Sequence, residues 1–72
     1  MSLNTIRNEI EELLGKKVKA KIYIGRNKFE MFDGIIDEIY PYLFTIKRGE
    51  EKKSFSYADI LTKNIIIKSI EK

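Results

Sequence analysis

The sequence predicts a mainly β fold with one N-terminal helix. Three observations support this prediction: apolar residues at helical spacing that stop at Gly15, a strict period of two that begins at Lys17, and Gly34 near the middle of a long second strand. The 72 residues leave room for one compact core, and the lack of cysteine excludes a disulfide framework. We therefore expect a single domain over residues 1–72, with a helix at about 4–14 and a barrel at about 17–70.

The predicted helix is amphipathic, because its apolar residues form one stripe and its charged residues lie opposite. The stripe consists of Leu3, Ile6, Ile10, Leu13 and Leu14. Ser2 or Asn4 is suited to cap the start, since both side chains accept hydrogen bonds from the first free N–H groups. Gly15 is suited to the left-handed residue that follows a helix end.

Two strands and a hairpin follow the helix. The first strand alternates from Lys17 to Ile24, with its lysines on one face and its aliphatic residues on the other. Gly25-Arg26-Asn27-Lys28 has the composition of a hairpin turn. The second strand runs from Phe29 to Ile39, and we expect a bulge or sharp bend at Gly34, which would let a small sheet curl.

Three further strands are predicted at 43–48, 53–57 and 64–70, after a break at Tyr40-Pro41. The Phe55 and Tyr57 side chains share one face and are expected in the core. The join Ala58-Asp59-Ile60-Leu61 fits one 3₁₀ turn, with the Asp59 carboxylate as a cap. This layout is typical of a small five-stranded Sm-like or SH3-like barrel. An OB-type barrel is the alternative, but no helical period follows Gly15 to supply its helix between strands.

The charge is concentrated in one segment. The formal net charge is +3, yet residues 16–28 contain six cations and no acid. Such a segment attracts a phosphate backbone or an acidic protein surface, or it keeps a strand face soluble, and both interpretations stay open. An aromatic cluster at a strand break also suits a binding surface, although a ring anchored in the core has the same sequence. The candidate partner-binding or nucleic-acid-binding residues are Lys17, Lys19, Lys21, Tyr23, Arg26, Lys28, Tyr40 and Pro41.

Ile65-Ile66-Ile67 does not alternate with polar residues, so at least one isoleucine must face away from the core. Either the helix covers that second face or two copies of the chain meet there. A small core would gain from pairing. Ile65, Ile66 and Ile67 are therefore the candidates for a homodimer interface.

The inventory of residues argues against catalysis. There is no histidine, no cysteine and no glycine-rich phosphate loop. Asp33, Asp37 and Glu38 are interpreted as a solvent-facing acidic surface, with a Mg²⁺ site made from them as the less favoured alternative. We expect a binding protein without catalytic residues, metal or cofactor. The lack of disulfides and of any long apolar run also predicts a cytoplasmic protein that does not enter a membrane.

Several short segments together resemble one protein family. They are Leu14-Gly15-Lys16, Gly25-Arg26 with Lys28, Gly34-Ile35, Glu38, Tyr40-Pro41, Phe44 with Ile46, and Ser54-Phe55-Ser56-Tyr57-Ala58-Asp59-Ile60-Leu61-Thr62. With these segments the chain resembles the Veg family of small bacterial proteins, described as stimulators of biofilm formation. The last segment is the most specific, because nine consecutive positions agree in type and order. The helix before Leu14 and the short polar tip before the fourth strand depart from the family pattern.

The resemblance implies an Sm-like barrel from a Gram-positive bacterium, with a regulatory and non-enzymatic role. It also implies that the protein switches on biofilm-matrix genes by opposing a transcriptional repressor. The first hypothesis is thus a module that binds a protein partner, namely a transcription regulator. The competing hypothesis is an Sm-like RNA-binding or DNA-binding protein that uses the basic strand and turn.

Overall fold

The computed structural model describes residues 2–70, which form one five-stranded antiparallel sheet and two helices. In chain order the elements are α1 (Leu3–Glu12), β1 (Lys17–Gly25), β2 (Lys28–Ile39), β3 (Leu43–Arg48), β4 (Glu51–Ser56), α2 (Tyr57–Leu61) and β5 (Ile65–Ser69). The strand order in the sheet is β4-β3-β2-β1-β5, so β4 and β5 are its edges. The predicted mainly β fold with an N-terminal helix is confirmed. Met1, Glu71 and Lys72 of the predicted domain lie outside the described residues.

The helix α1 is capped by Ser2, whose hydroxyl accepts a hydrogen bond from the Thr5 N–H at 3.3 Å. Its regular part ends at Glu12, two residues before the predicted end, and Gly15 then adopts a left-handed φ of 81°. Ile6 and Ile10 are buried, whereas the outer members of the predicted stripe are exposed. Within residues 2–70, neither helix combines the length and the apolar character needed to cross a bilayer.

The core is built around four aromatic rings. Phe44 stacks on Tyr57 with the ring centroids 5.5 Å apart, and it lies 5.8 Å from Phe55, which in turn lies 6.3 Å from Phe32. All four side chains are buried, which confirms the core position predicted for Phe55 and Tyr57. Val18 and the alternate residues of β1 complete the core from the neighbouring strand. The inner face of the sheet is therefore committed to stability.

The strand β2 changes partner along its length, pairing with β1 as far as Ile35 and with β3 from Ile35 onwards. The bulge expected at Gly34 is elsewhere, because the register shifts between Ile36 and Glu38 while Gly34 lies in regular register with Val18. Glycine is needed at position 34 for a different reason. A Cβ there would clash with the carbonyl oxygen of Lys47, which the neighbouring strand brings against the backbone.

The connection between β4 and β5 contains one α-helical turn, α2, and not the predicted 3₁₀ turn. The prediction of Asp59 as the cap is also wrong. Ser56 caps this helix, since its hydroxyl accepts a hydrogen bond from the Ala58 N–H at 3.1 Å. Asp59 lies inside the first turn, and its carbonyl accepts from the Asn64 N–H at 2.9 Å. α2 thus directs the chain from one edge of the sheet back to the other.

Candidate partner-binding site

The outer face of β1, β2 and β5 carries a groove of about 570 Å³, here called the outer groove. Its main side chains are those of Lys19, Lys21, Phe29, Met31, Ile66 and Lys68. Sheet register brings them together, because directly paired residues point to the same face. Lys21 lies between Met31 on β2 and Ile66 on β5, and Lys19 lies between Asp33 and Lys68. A central row of lysines is therefore flanked by the side chains of two neighbouring strands.

Aromatic rings hold one of these lysines in position. The Lys21 Nζ lies 4.2 Å from the centroid of the Phe29 ring and 5.3 Å from that of Tyr23. The two rings are themselves neighbours, with centroids 6.2 Å apart. An ammonium over an aromatic face is attracted by the negative ring face. Lys21 is thus kept at the groove and does not extend freely into solvent.

The binding residues predicted in segment 16–28 lie in two places in the structure. Lys19, Lys21 and Tyr23 share the outer face, as the period of two predicts, with Lys17 on the same strand face. Arg26 and Lys28 are exposed at the turn between β1 and β2, where Asn27 has a φ of 60°, and neither lines the groove.

The three consecutive isoleucines of β5 also have different environments. Ile65 is buried in the core and Ile67 packs against it, so these two are unsuited to a dimer interface in this fold. Ile66 faces outwards into the outer groove. α1 packs against α2 and β2, and the outer face of β5 is left to solvent. Of the three predicted interface candidates, Ile66 is the one on the outer face, and its role in a dimer stays a prediction.

Phe29, Met31 and Lys68 line the groove but are not among the binding residues predicted from the sequence. In sequence Phe29 and Met31 alternate with the acid Glu30, a pattern that predicts the two apolar side chains on the buried face. They face outwards because β2 pairs Phe29 with Tyr23 and Met31 with Lys21. Lys68 and the exposed Ile70 reach the groove only because β5 pairs with β1. This pairing joins distant parts of the chain, and no local pattern reports it.

The Tyr40-Pro41 corner lies on another surface. The Tyr40 carbonyl accepts a hydrogen bond from the Tyr57 hydroxyl at 2.9 Å, and the Tyr40 hydroxyl donates to Glu38 Oε2 at 2.8 Å. Pro41 lines a second groove of about 370 Å³, together with Tyr42 and residues of α1. Tyr40 thus has a structural role through its backbone, and Pro41 belongs to a surface separate from the outer groove.

Three acidic side chains of β2, those of Asp33, Asp37 and Glu38, are engaged by cations. Asp33 lies 3.8 Å from the Arg48 guanidinium, whereas Lys52 contacts both Asp37, at 3.1 Å, and Glu38. The bulge explains how two consecutive residues reach one lysine, because it interrupts the alternation of β2. Within residues 2–70, no three acidic side chains gather as a set of metal ligands. These carboxylates therefore serve as ion-pair partners inside the sheet.

The Glu38 pair predicts a pH-dependent contribution to stability. The hydrogen bond from Lys52, followed by that from the Tyr40 hydroxyl, holds the pKa of Glu38 below its ordinary value of 4.5. A depressed pKa in the folded state means that the carboxylate stabilises the fold above about pH 4.5, and that this contribution is lost as the pH falls through the folded-state pKa. We expect Glu38→Gln to melt at a lower temperature than the parent protein at neutral pH, with the difference vanishing in acid.

Thermal denaturation followed by circular dichroism, from about pH 7 down to about pH 2, measures this effect. The exposed position of the pair limits its size. Glu50→Gln is the control, because Glu50 is exposed at the β3–β4 turn and makes no ion pair with any residue of 2–70. Indistinguishable curves for the two variants would show that the Glu38 pair does not stabilise the fold.

Comparison with protein-family models shows that the chain matches the family described as biofilm formation stimulator VEG. The match covers residues 1–68 of the 72-residue chain. It includes both helices, β1 to β4, most of β5 and the main side chains of the outer groove. A comparison with curated proteins gave no match.

Proposed function

Because the chain belongs to the Veg family of biofilm formation stimulators, we propose that it is a non-enzymatic regulatory protein that acts by binding another protein. The partner is a transcriptional repressor of biofilm-matrix genes, and binding opposes its action. The observation that carries this proposal is the outer groove, where bulky apolar side chains are exposed beside lysines. Regulation by such a module requires a surface for recognition and no reacting groups.

The composition of the outer groove supports a protein as the partner. Phe29 is 50% exposed and Met31 is 46% exposed, although both are large apolar side chains on a sheet face. Large apolar side chains that are exposed together beside charged ones are typical of protein–protein interaction sites. Aromatic residues and methionine are also enriched in such interfaces. Contact with a protein would remove this apolar surface from water.

Nucleic-acid binding is the second candidate function, favoured by Lys19 and Lys21 beside Tyr23 on one strand face. Single-stranded nucleic acids bind where cations follow the backbone and aromatic rings stack on bases. Two features favour the protein partner instead. Lys21 already lies over the Phe29 ring, and the side chains of Met31 and Ile66 offer no aromatic face.

Charge reversal in the groove tests the proposed function in cells. We expect the double variant Lys19→Glu/Lys21→Glu to reduce matrix-gene expression and biofilm mass to the level of cells without the protein. Like charges placed across an interface oppose binding strongly. The measurement is a matrix-gene reporter, with biofilm mass, in a strain of the source bacterium whose own copy is deleted. A cross-linked pull-down with and without nuclease then separates a protein partner from nucleic acid.

The matched control is Lys47→Glu/Lys63→Glu, which changes the net charge equally at exposed lysines that do not line the outer groove. It is expected to stimulate biofilm formation like the parent protein, and circular dichroism verifies that both double variants are folded. Normal stimulation by the folded groove variant would refute a role for this surface. Loss of the partner after nuclease treatment would favour the second candidate function.

A further inference from the structure

We propose that the outer groove binds an acidic amphipathic helix of the partner protein, with carboxylates over the lysines and apolar side chains beside them. This inference rests on the proposed function, and it specifies the chemistry that the partner must present. The charges around the groove, the spacing of its lysines and its width support this inference.

Two like charges face each other in the lining of the outer groove. Lys19 and Lys68 lie directly opposite each other in the β1–β5 ladder, an arrangement that destabilises a sheet. Lys47 and Lys52 form the same kind of pair between β3 and β4, but there Asp37 and Glu38 bind Lys52. Among residues 2–70, no carboxylate forms an ion pair with Lys19 or Lys68.

The acid nearest in register does not relieve this repulsion. Asp33 lies opposite Lys19 in the β1–β2 ladder, but its carboxylate is directed to the Arg48 guanidinium at 3.8 Å. Among residues 2–70, the lining of the outer groove contains three lysines and no acid. An anionic partner would therefore gain from all three ammonium groups and would remove the repulsion between two of them.

The spacing of the lysines is close to the spacing of side chains on one face of a helix. Lys19 and Lys21 are two residues apart on one strand, which places their Cα atoms about 6.6 Å apart. Residues three or four apart on a helix have Cβ atoms about 5–6 Å apart on one face. Two glutamates at such positions therefore match the two lysines. Lys68, on the adjacent strand, can reach a third acid on the same helix.

The width of the groove and its apolar sides also suit a helix. Three adjacent strands span about 10 Å, which is close to the diameter of a helix at about 10–12 Å. Phe29 and Met31 border the lysines on β2, while Ile66 on β5 and Ile70 just beyond its end border them on the other side. Apolar residues on either side of the acidic row of a helix would meet these walls, as in other complexes in which a helix lies in a groove.

A peptide titration followed by ¹⁵N-resolved NMR tests this proposal on the full chain. The probe is a peptide of about 16 residues, long enough to form a helix, with glutamates and leucines at helical spacing. Its matched control has lysine at every glutamate position. We expect shifts of the Lys19, Lys21 and Met31 signals with the acidic peptide alone, and binding that weakens as the salt concentration rises.

The affinities of variants for the acidic peptide show which side chains contribute to binding. Lys19→Glu/Lys21→Glu is expected to weaken binding of the acidic peptide by about tenfold or more, as is Phe29→Ala, whereas Lys47→Glu/Lys63→Glu is expected to bind like the parent protein. Shifts that map outside the outer groove would overturn the proposal. The absence of binding at low ionic strength would overturn it as well.

The same titration examines other occupants. A single-stranded oligonucleotide or vesicles of anionic phospholipid that bind the groove more tightly than the acidic peptide would reject a helix as the ligand. Groove signals that shift with protein concentration in the absence of peptide would identify a second copy as the occupant, and would also reject it. Failure here is distinguishable from failure of the proposed function, because charge reversal in cells would still abolish stimulation if the groove bound another kind of protein segment.

Discussion

Replacing Gly34 by alanine is expected to destabilise the fold by about 3 kcal/mol or more, the upper end of the cost of overpacking a core. The new methyl group would clash with the Lys47 carbonyl oxygen and would lie 2.9 Å from the Ile46 Cγ2 atom. A flexible side chain could move aside, but the carbonyl belongs to the backbone of β3. Relief therefore requires the two strands to separate where β2 passes from one partner to the other.

Urea denaturation followed by circular dichroism measures this loss of stability. The loss is large relative to the total, because a domain of this size has a small free energy of unfolding. Gly25→Ala is the matched control, because a Cβ at that position meets nothing within 4 Å and the backbone φ is not left-handed. We expect the midpoint of urea unfolding of Gly25→Ala to equal that of the parent protein, within experimental error. Equal midpoints for the two alanine variants would show that the close approach at Gly34 does not matter.

Replacing Phe44 by alanine is expected to cost about 3–5 kcal/mol, the usual range for a fully buried phenylalanine. The ring has no exposed surface, and it links Tyr57 to Phe55 in the centre of the core. Its removal leaves a cavity and two rings without their packing partner. For a domain of this length, the corresponding fall in melting temperature is at least about 12 °C.

Phe29→Ala is the matched control for Phe44→Ala, since it deletes the same side chain from a half-exposed position on the outer face. Its expected cost is about 1 kcal/mol, because only half of the side chain leaves water on folding. Differential scanning calorimetry of both variants makes the comparison. Similar melting temperatures would contradict the assignment of the inner face to stability and the outer face to recognition.

Local patterns in the sequence predict much of this fold. The period of two in β1 predicts both the buried residues and the outward lysines, because alternation is a property of a single strand. Gly15 marks the end of the helix for a similarly local reason, namely its left-handed backbone. The strand β3 has the predicted bounds of 43–48.

The predictions from sequence are wrong or incomplete where contacts between distant parts of the chain determine the local structure. The bulge in β2 falls after Ile36, and the need for Gly34 comes from β3, so no feature within β2 distinguishes the two. The Asp59 side chain is of a type suited to a cap, but Ser56, the last residue of β4, occupies the cap position of α2. The outer groove was only half predictable, since Lys68 enters it through the pairing of β5 with β1.

The alternation of β1 has a consequence for how such proteins diverge. Val18 and Ala20 are constrained by the core, whereas Lys19 and Lys21, their immediate neighbours in the chain, have no part in it. A substitution at a lysine position can therefore change which protein is recognised without an accompanying repair of the fold. Two relatives with the same interior can in this way acquire different binding partners by single changes at every second residue of one strand.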